Sequence, residues 1–351
     1  DMLKKKKMHR LTLSTLQRQF FHRNGFLPLN RKELKEQLII DPTIIEGLKK
    51  SFKDCFSGKF NIRGIYPDEW HWREGISKPD AVREICNGWK SDNLVREIVL
   101  SEEVGQLGGE LYCDGWNLGD ALDNGNRKGW LSSRVGQDDV IWKIPAREKT
   151  DSGPDSSHVG YHVDGDYISC QFRNPQNHPE HSERPYSSDD NSITVWIALD
   201  DADSENGVVE YVAGSHLIPH AKLQELLREY GGFHGDSHEH GEDSAGREET
   251  NSPSEIFGRR KPATASEKKQ FLQQKVRELG KELGVFGNSS DCVTSSSGFN
   301  VIADGIDTDS PDSIPFGSVA RPVIPAGCCV IHHQNVLHGS SGNRSTTRHR
   351  R

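Results

Sequence analysis

The sequence has no run of about 18 consecutive apolar residues, the length that a membrane-spanning helix needs. Its first thirty residues also lack the apolar stretch and small-residue cleavage site of a secretory signal. A partial match to a peroxisomal targeting nonapeptide at 10–18 lacks the final residue of that motif, and we attribute it to chance. We therefore expect an intracellular protein without a membrane span, in the cytoplasm, with a peroxisomal location left open.

Cysteine is sparse, and basic charge is not in excess. The seven cysteines are odd in number and include no C-x-x-C pair, so neither a zinc site nor a redox dithiol is indicated and reduced thiols are expected. Acidic residues outnumber basic ones by 52 to 44, and basic residues cluster only at 4–7 and 348–351. This balance disfavours a nucleic-acid backbone as partner.

Apolar residues are scarce as well, since only 33% of the chain is hydrophobic. That fraction is low for a chain that is packed throughout, so part of it is expected to lie outside the core. Between 221 and 320 the sequence is dominated by polar and small residues, apart from a helix-like stretch at 266–284. We predict a single domain over 10–351 that carries a disordered or loosely packed insertion at about 221–320.

The rest of the sequence favours a mainly β fold with flanking helices. An amphipathic stretch within 10–30 ends at Asn24-Gly25, a typical helix stop. From 31 to about 110, apolar residues at helical spacing predict several helices beside the main body. Short runs rich in β-branched and aromatic residues then predict an antiparallel sandwich or barrel. These runs lie at 140–144, 167–172, 193–199, 207–212 and 323–331.

The pair His162 and Asp164 is the most informative feature of the chain. Residues two apart in a strand project from the same face, so these side chains can offer a nitrogen and an oxygen to one metal ion. An H-x-D motif by itself occurs often by chance, and the alternative is a solvated polar strand edge. Downstream, His338 and Ser340 precede the basic cluster at 348–351. A third ligand from a distant strand, with an arginine that can hold a carboxylate, suits a non-haem iron oxygenase with a 2-oxo-acid cosubstrate.

Further motifs accompany these residues. They are FFHRNGF at 20–26, Lys143 ahead of HVD at 162–164, VWIALDD at 195–201, ENG at 205–207, AGSH at 213–216, PAG at 325–327 and HGS at 338–340. On these motifs the sequence resembles the phytanoyl-CoA dioxygenase family of iron(II)- and 2-oxoglutarate-dependent oxygenases. The resemblance covers roughly 15–30 and 134–351, apart from the expected insertion.

The resemblance implies a fold and a metal. The fold is a double-stranded β-helix, or cupin-like jelly roll, flanked by helices, in agreement with the strand-rich runs above. The metal is iron(II), bound by His162, Asp164 and His338, with 2-oxoglutarate and dioxygen as cosubstrates. The carboxylate at Asp164 favours hydroxylation, because iron halogenases of the same superfamily have Gly or Ala in its place.

The resemblance also implies a cosubstrate pocket. Ser340 and an arginine of the basic cluster are implied to bind the distal carboxylate of 2-oxoglutarate. The family's arginine position holds His349 here, and a shift of one residue brings in Arg350. If the chain returns to a strand by Thr347, Arg348 and Arg350 share a face, so alternation does not separate them, but reach along the strand favours Arg350.

Four more residues have two interpretations each. Trp196 is implied to line the site, although strand alternation also suits a core aromatic. Lys143 can contact a cosubstrate carboxylate, and the alternative is an exposed strand lysine. His332 and His333 are near enough in sequence to replace His338, but Gly-Ser does not follow either of them. We predict that these two face opposite sides of their strand.

The function that these observations favour is an iron(II)- and 2-oxoglutarate-dependent dioxygenase. It would hydroxylate a C–H bond of a small molecule and release succinate and carbon dioxide. Two other function classes stay open. The long stretch between His216 and His338 favours a jelly-roll protein that binds a ligand without turnover. A metal-dependent hydrolase or isomerase on a cupin-type barrel would be expected to have more than one histidine in the first motif.

Overall fold

The computed structural model describes residues 13–30, 40–113, 133–148, 157–166, 192–229, 265–285, 301–302 and 306–351. The strand predicted at 167–172 lies outside these residues. Among the described helices, none combines the length and the apolar character needed to cross a bilayer.

The described residues form six α-helices. They are α1 (Thr15–Asn24), α2 (Pro42–Phe56), α3 (Asn93–Val99), α4 (Glu102–Cys113), α5 (His220–Glu229) and α6 (Ala265–Glu282). Helix α1 begins with a capping box, in which the Ser14 side chain accepts from the backbone N–H of Gln17 and the Gln17 side chain accepts from the N–H of Ser14. It ends at Gly25, whose φ of 81° is left-handed. The helix stop predicted at Asn24-Gly25 is therefore confirmed.

Strands form three sheets within the described residues. The first, the β10 sheet, has the order β1 (Phe26–Leu29), β10 (Cys329–His333), β6 (Ile193–Ile197). The second, the β11 sheet, has the order β5 (Val159–His162), β11 (His338–Ser340), β7 (Val209–Val212), β9 (Val319–Ala320), β8 (Val301–Ile302). The third joins β2 (Glu69–Trp70), β3 (Arg83–Cys86) and β4 (Asp139–Trp142). All neighbours are antiparallel except β8 and β9.

The β10 and β11 sheets face each other across the main core. Phe26 of the first stacks on Tyr211 of the second with ring centroids 4.7 Å apart, and both side chains are fully buried. Burial of this kind is the dominant stabilising contribution to the domain. Two facing antiparallel sheets with helices around them make up the predicted jelly roll, and the predicted fold class is confirmed.

Two stretches differ from the sequence predictions. Residues 69–86 contain β2 and β3, where only helices were predicted, because strands of two and four residues are too short for alternation to stand out. The strand predicted at 323–331 begins later, at Cys329, after Gly327 takes a left-handed φ of 82°.

Helices α5 and α6 lie within the stretch predicted to be a loosely packed insertion. Leu272 and Val276 of α6 are buried in a cluster with Val212 and Leu337 of the β11 sheet. This helix is therefore packed against the β11 sheet, because the polar average of the stretch conceals apolar residues at helical spacing. Residues 230–264 and 286–300 lie outside the described part of the chain, and the insertion boundaries stay a prediction.

Candidate metal and cosubstrate centre

The structure brings His162, Asp164 and His338 together. His162 ends β5 and His338 begins β11, and the antiparallel register sets the two histidines opposite each other. Nε2 of His338 lies 3.3 Å and Nε2 of His162 lies 3.7 Å from Oδ1 of Asp164. One ligand atom from each of the three residues lies within 4.8 Å of the others. The geometry suits a single ion held by two imidazoles and one carboxylate.

Backbone carbonyls orient both imidazoles. Nδ1 of His162 lies 2.9 Å from the carbonyl oxygen of Gly160, and Nδ1 of His338 lies 3.0 Å from that of Val336. Because a carbonyl only accepts, each Nδ1 carries the proton and donates it. In each neutral ring the lone pair is then on Nε2, the atom that faces Asp164. This tautomer is the one that a metal ligand needs.

Burial and mutual proximity shift the pKa values of the cluster. Burial, helped by the charge of His338, lowers the pKa of His162 to about 4, which keeps this ring neutral. Burial alone would raise the pKa of Asp164, but the neighbouring His338 and His332 hold it well below its ordinary value. Burial alone would lower the pKa of His338, but the Asp164 carboxylate raises it. The site therefore presents an ionised carboxylate beside imidazoles.

A buried cationic pocket lies next to the cluster on the same strand. Ser340 follows His338 by two residues in β11, so their side chains share a face. Nζ of Lys143 donates to Oγ of Ser340 over 2.7 Å and to the carbonyl of Ser341 over 2.9 Å. Lys143 is fully buried, so its interpretation as an exposed strand lysine is wrong. The side chain extends inward from the end of β4, where the backbone pairs with Arg350.

Arg350 supplies the second buried cation. Its guanidinium donates to the carbonyl of Gly207 over 3.1 Å, and Nη2 lies 3.5 Å from Oγ of Ser340. It also lies over the ring of Trp196, 5.5 Å from the centroid, which places Trp196 at the pocket. Burial lowers the pKa of Arg350 to about 10, and no carboxylate of the described residues forms an ion pair with it. A buried guanidinium of this kind suits an anionic ligand.

Arg348 lies outside this pocket. Its guanidinium binds Asp203 over 2.6 Å and Glu205 over 2.9 Å, at a side-chain exposure of 39%. The expected return to a strand by Thr347 does not occur. Residues 346–347 form a bend, and the first β-bridge after β11 is the one between Arg350 and Lys143. Strand alternation therefore does not apply to Arg348, and the structure separates the two arginines.

Three residues that the sequence analysis did not assign to the site also contact Asp164 or support it. The Thr194 hydroxyl donates to Oδ2 of Asp164 over 2.6 Å, and Nε2 of His332 lies 3.0 Å from the same oxygen. Tyr211 places its hydroxyl 3.2 Å from Nδ1 of His332. His333 faces the other way, toward His216, as the alternation predicts. Thr194 is two residues from Trp196 in β6 and shares its strand face, and this spacing is the signal that could have identified it.

Other groups of metal-ligand side chains lie close together on the third sheet. Glu69, His71 and Cys86 form one group, and Glu84, Cys86 and Asp139 form another. Burial and the nearby carboxylates raise the pKa of the Cys86 thiol, so it stays protonated. Neither group has the pair of carbonyl-oriented histidines that marks the first cluster.

Fold and site together define a jelly-roll protein with a two-histidine, one-carboxylate centre, the arrangement of non-haem iron oxygenases that use a 2-oxo acid. The family model for phytanoyl-CoA dioxygenase (PhyH) matches residues 21–253, which is more than half of the chain. The chain belongs to the phytanoyl-CoA dioxygenase family, whose members are non-haem iron, 2-oxoglutarate-dependent oxygenases. The matched stretch contains His162 and Asp164 and ends before His338.

Solved structures of low sequence identity align with most of this chain. SnoK, a non-heme alpha ketoglutarate dependent carbocyclase from nogalamycin biosynthesis, is 17% identical, with a TM-score of 0.45 over 97% of this chain and 81% of its own. EctD from S. alaskensis is 10% identical, with a TM-score of 0.47 over 99% and 77%. EvdO2 from Micromonospora carbonacea var. aurantiaca is 13% identical, with a TM-score of 0.39 over 98% and 90%. No curated protein matches the chain, and similarity at this level does not define a substrate.

Proposed function

We propose that this protein is an iron(II)- and 2-oxoglutarate-dependent dioxygenase that hydroxylates a C–H bond of a small molecule inside the cell. His162, Asp164 and His338 would hold the iron. One observation carries the proposal. The three ligand side chains meet at His338, where β11 begins, and a buried arginine without a described carboxylate partner lies beside Ser340, where the same strand ends. Family membership supports the reaction class, and the residue assignments are our own.

The donor set fits iron(II) because two imidazole nitrogens and one carboxylate oxygen leave positions open for further ligands. Bound iron(II) supplies the activation of dioxygen, coupled to oxidative decarboxylation of 2-oxoglutarate to succinate and carbon dioxide. The protein orients the ligands through the carbonyls of Gly160 and Val336 and keeps His338 buried. A carboxylate at 164, rather than a small residue that frees a position for halide, favours hydroxylation.

The cationic pocket fits the far end of 2-oxoglutarate. Arg350 offers a guanidinium and Ser340 a hydroxyl, and Nζ of Lys143 adds positive charge beside that hydroxyl. Ser340 lies two residues beyond His338, a spacing of about 7 Å along a strand, which a five-carbon diacid can span. Trp196 closes the pocket against the arginine. These residues would bind the distal carboxylate while the 2-oxo acid end reaches the metal.

The test is an anaerobic titration of the full chain with iron(II) and 2-oxoglutarate. We expect a weak visible charge-transfer band in the wild type and its loss in His162→Ala and Asp164→Ala. His333→Gln is the control, since His333 faces His216 and not the cluster. In air, the wild type should convert 2-oxoglutarate to succinate. Absence of both the band and succinate would reject the proposed function. A band without succinate, even with a broad panel of small molecules, would instead indicate a jelly-roll protein that binds without turnover.

A further inference from the structure

We propose that His332 is a positioning residue that, together with Thr194, holds Oδ2 of Asp164 and leaves Oδ1 as the only oxygen of that carboxylate available to the metal. The inference rests on the proposed function, because it concerns the same metal centre. It assigns a role to a histidine that the sequence offered only as a replacement for His338 or as a strand residue.

The two oxygens of Asp164 have different surroundings. Oδ2 accepts a hydrogen bond from the Thr194 hydroxyl over 2.6 Å and lies 3.0 Å from Nε2 of His332. Oδ1 lies beside Nε2 of His338 and Nε2 of His162, at 3.3 and 3.7 Å. One oxygen is therefore taken up by the protein, and the other faces the two metal-ligand nitrogens.

Strand register places the two donors together. His332 of β10 pairs with Thr194 of β6, so their side chains lie side by side on one face of the β10 sheet. The two histidines of the proposed triad come from the opposite β11 sheet. Asp164 thus lies between the sheets, with Oδ2 toward the β10 sheet and Oδ1 toward the β11 sheet.

A buried tyrosine fixes the ring of His332. The ionised carboxylate of Asp164 only accepts hydrogen bonds, so the proton of a neutral His332 is on Nε2. Nδ1 then accepts from the Tyr211 hydroxyl over 3.2 Å. Tyr211 is itself held by stacking on Phe26, and both rings are fully buried. The chain of contacts runs from Tyr211 through His332 to Asp164 and prevents the imidazole from rotating.

The consequence concerns the number of open positions on the metal. A carboxylate with both oxygens available can bind a cation through both and so occupy an additional position. Donors on Oδ2 keep the carboxylate to one bond, and such supporting contacts typically change metal affinity by about 10- to 100-fold when removed. The rival explanation is that His332 is itself a ligand, because its ring centroid lies 4.5 Å from that of His338. Its Nε2, however, contacts Oδ2 of Asp164, whereas Nε2 of His162 and Nε2 of His338 contact Oδ1.

The experiment compares His332→Leu with His332→Gln, whose amide can donate from a similar place. His333→Gln is the matched control, since His333 is the neighbouring buried histidine on the opposite face. Each full-length variant is titrated anaerobically with iron(II), and the visible band is then recorded after addition of 2-oxoglutarate. We expect His332→Leu to weaken iron(II) binding about 10- to 100-fold and to shift or broaden the band. His332→Gln should restore most of both, and His333→Gln should leave both unchanged.

The outcomes separate this inference from the proposed function. Iron(II) binding and a band in His332→Leu within twofold of the wild type would overturn the positioning role. Complete loss of iron(II) binding in both His332 variants, as in His338→Ala, would show that His332 is a ligand and would also overturn it. A wild type that does not bind iron(II) would reject the proposed function instead. If His332→Leu fails to fold, Thr194→Val and Tyr211→Phe test the same contacts, and an unchanged affinity and band in both would reject the inference.

Discussion

At the residue scale, Arg348 and Arg350 differ in surroundings although only one residue separates them. Arg350 is 2% exposed beside Ser340, whereas Arg348 is held in surface ion pairs with Asp203 and Glu205. A buried guanidinium binds a carboxylate far more strongly than an exposed one, because water does not screen the interaction. The position of the side chain, and not the presence of charge, decides which arginine can bind the cosubstrate.

We predict that Arg350→Ala raises the dissociation constant for 2-oxoglutarate by about two orders of magnitude, the effect of losing a buried charged contact. Arg348→Ala should change it less than about threefold, since surface ion pairs contribute little. The measurement is an anaerobic titration of the iron-loaded protein, with thermal unfolding to check the fold of each variant. The reverse ranking would reject the pocket assignment and leave the metal cluster unaffected.

At the element scale, a turn and a helix support β11 and the segment after it. Gly207 has a φ of 81°, and its carbonyl accepts from Arg350. A Cβ at this position would collide with the carbonyl of Ser341, directly after the strand. The glycine is therefore required both by its left-handed backbone and by the close approach of the segment that ends the cosubstrate pocket.

Gly207→Ala is expected to lower the free energy of unfolding by about 2–3 kcal/mol, through backbone strain and displacement of the segment at Ser341. It should also weaken 2-oxoglutarate binding. Gly284→Ala is the matched control, because its φ of 62° is also left-handed but nothing lies within 4 Å of the added Cβ. That change should cost about 1 kcal/mol from the backbone alone. Chemical denaturation measures both, and equal losses would contradict the role of the close approach.

Helix α6 is attached to the β11 sheet by a buried ion pair. Nζ of Lys269 lies 2.6 Å from the carboxylate of Glu210, which is 2% exposed and also binds Arg321 and the Ser341 hydroxyl. Burial alone would raise the pKa of Glu210, but Lys269 and Arg321 lower it. Glu210 therefore stays ionised, and it connects the helix to the residue that follows Ser340.

Lys269→Met should lower the free energy of unfolding by about 2–3 kcal/mol, because Glu210 then keeps only one of its two cations in a buried position. Lys275→Met, on the same helix, removes an exposed pair with Glu278 and should change the free energy of unfolding far less than Lys269→Met does. Urea denaturation of the two variants makes the comparison. A helix that is only loosely attached would show the same small effect for both changes.

At the scale of the whole molecule, two half-buried carboxyl groups, Glu84 on β3 and Asp138 just before β4, make stability depend on pH. Burial, helped by the charge of Asp139, raises the pKa of Glu84 from 4.5 to about 7. Burial likewise raises the pKa of Asp138 from 3.8 to about 6. Both groups ionise at lower pH in the unfolded chain. Between the ordinary and the raised pKa of each group, the folded chain therefore binds more protons than the unfolded chain. The contribution of these two carboxyl groups to the free energy of unfolding should therefore fall as the pH rises from about 5 to about 7.5. Buried neutral histidines such as His162 and His333, whose pKa values burial lowers to about 4, contribute in the opposite direction.

Glu84→Gln is predicted to remove about half of this contribution, since Asp138 keeps the other half, and to raise the free energy of unfolding at pH 8 by about 2 kcal/mol. The control is Glu278→Gln, because Glu278 is exposed and its pKa is lowered, so it contributes no decline above pH 5. Thermal or urea unfolding across pH 5 to 8 measures the slope. A slope that persists unchanged in Glu84→Gln would place its origin elsewhere.

The sequence alone determined the features that follow local rules. The end of α1 at Gly25 follows from capping, and strands β6, β7 and β10 of the two main sheets follow from short β-branched runs. The H-x-D spacing grouped His162 with Asp164 as members of one strand, although β5 ends at His162 and Asp164 lies in the turn after it. His338 with Ser340 was recognised from the order of motifs along the chain. These signals are readable because each depends on a few neighbouring residues.

Only the tertiary structure decided the contacts that join distant stretches. Lys143 and Ser340 are 197 residues apart, and His332 and Asp164 are 168 apart, yet each pair lies within 3.0 Å. Nothing local distinguishes an exposed lysine from a buried one, or a structural histidine from one that holds a carboxylate. Burial and hydrogen-bond partners are set by how the β10 and β11 sheets pack against each other, and that packing depends on the whole chain at once.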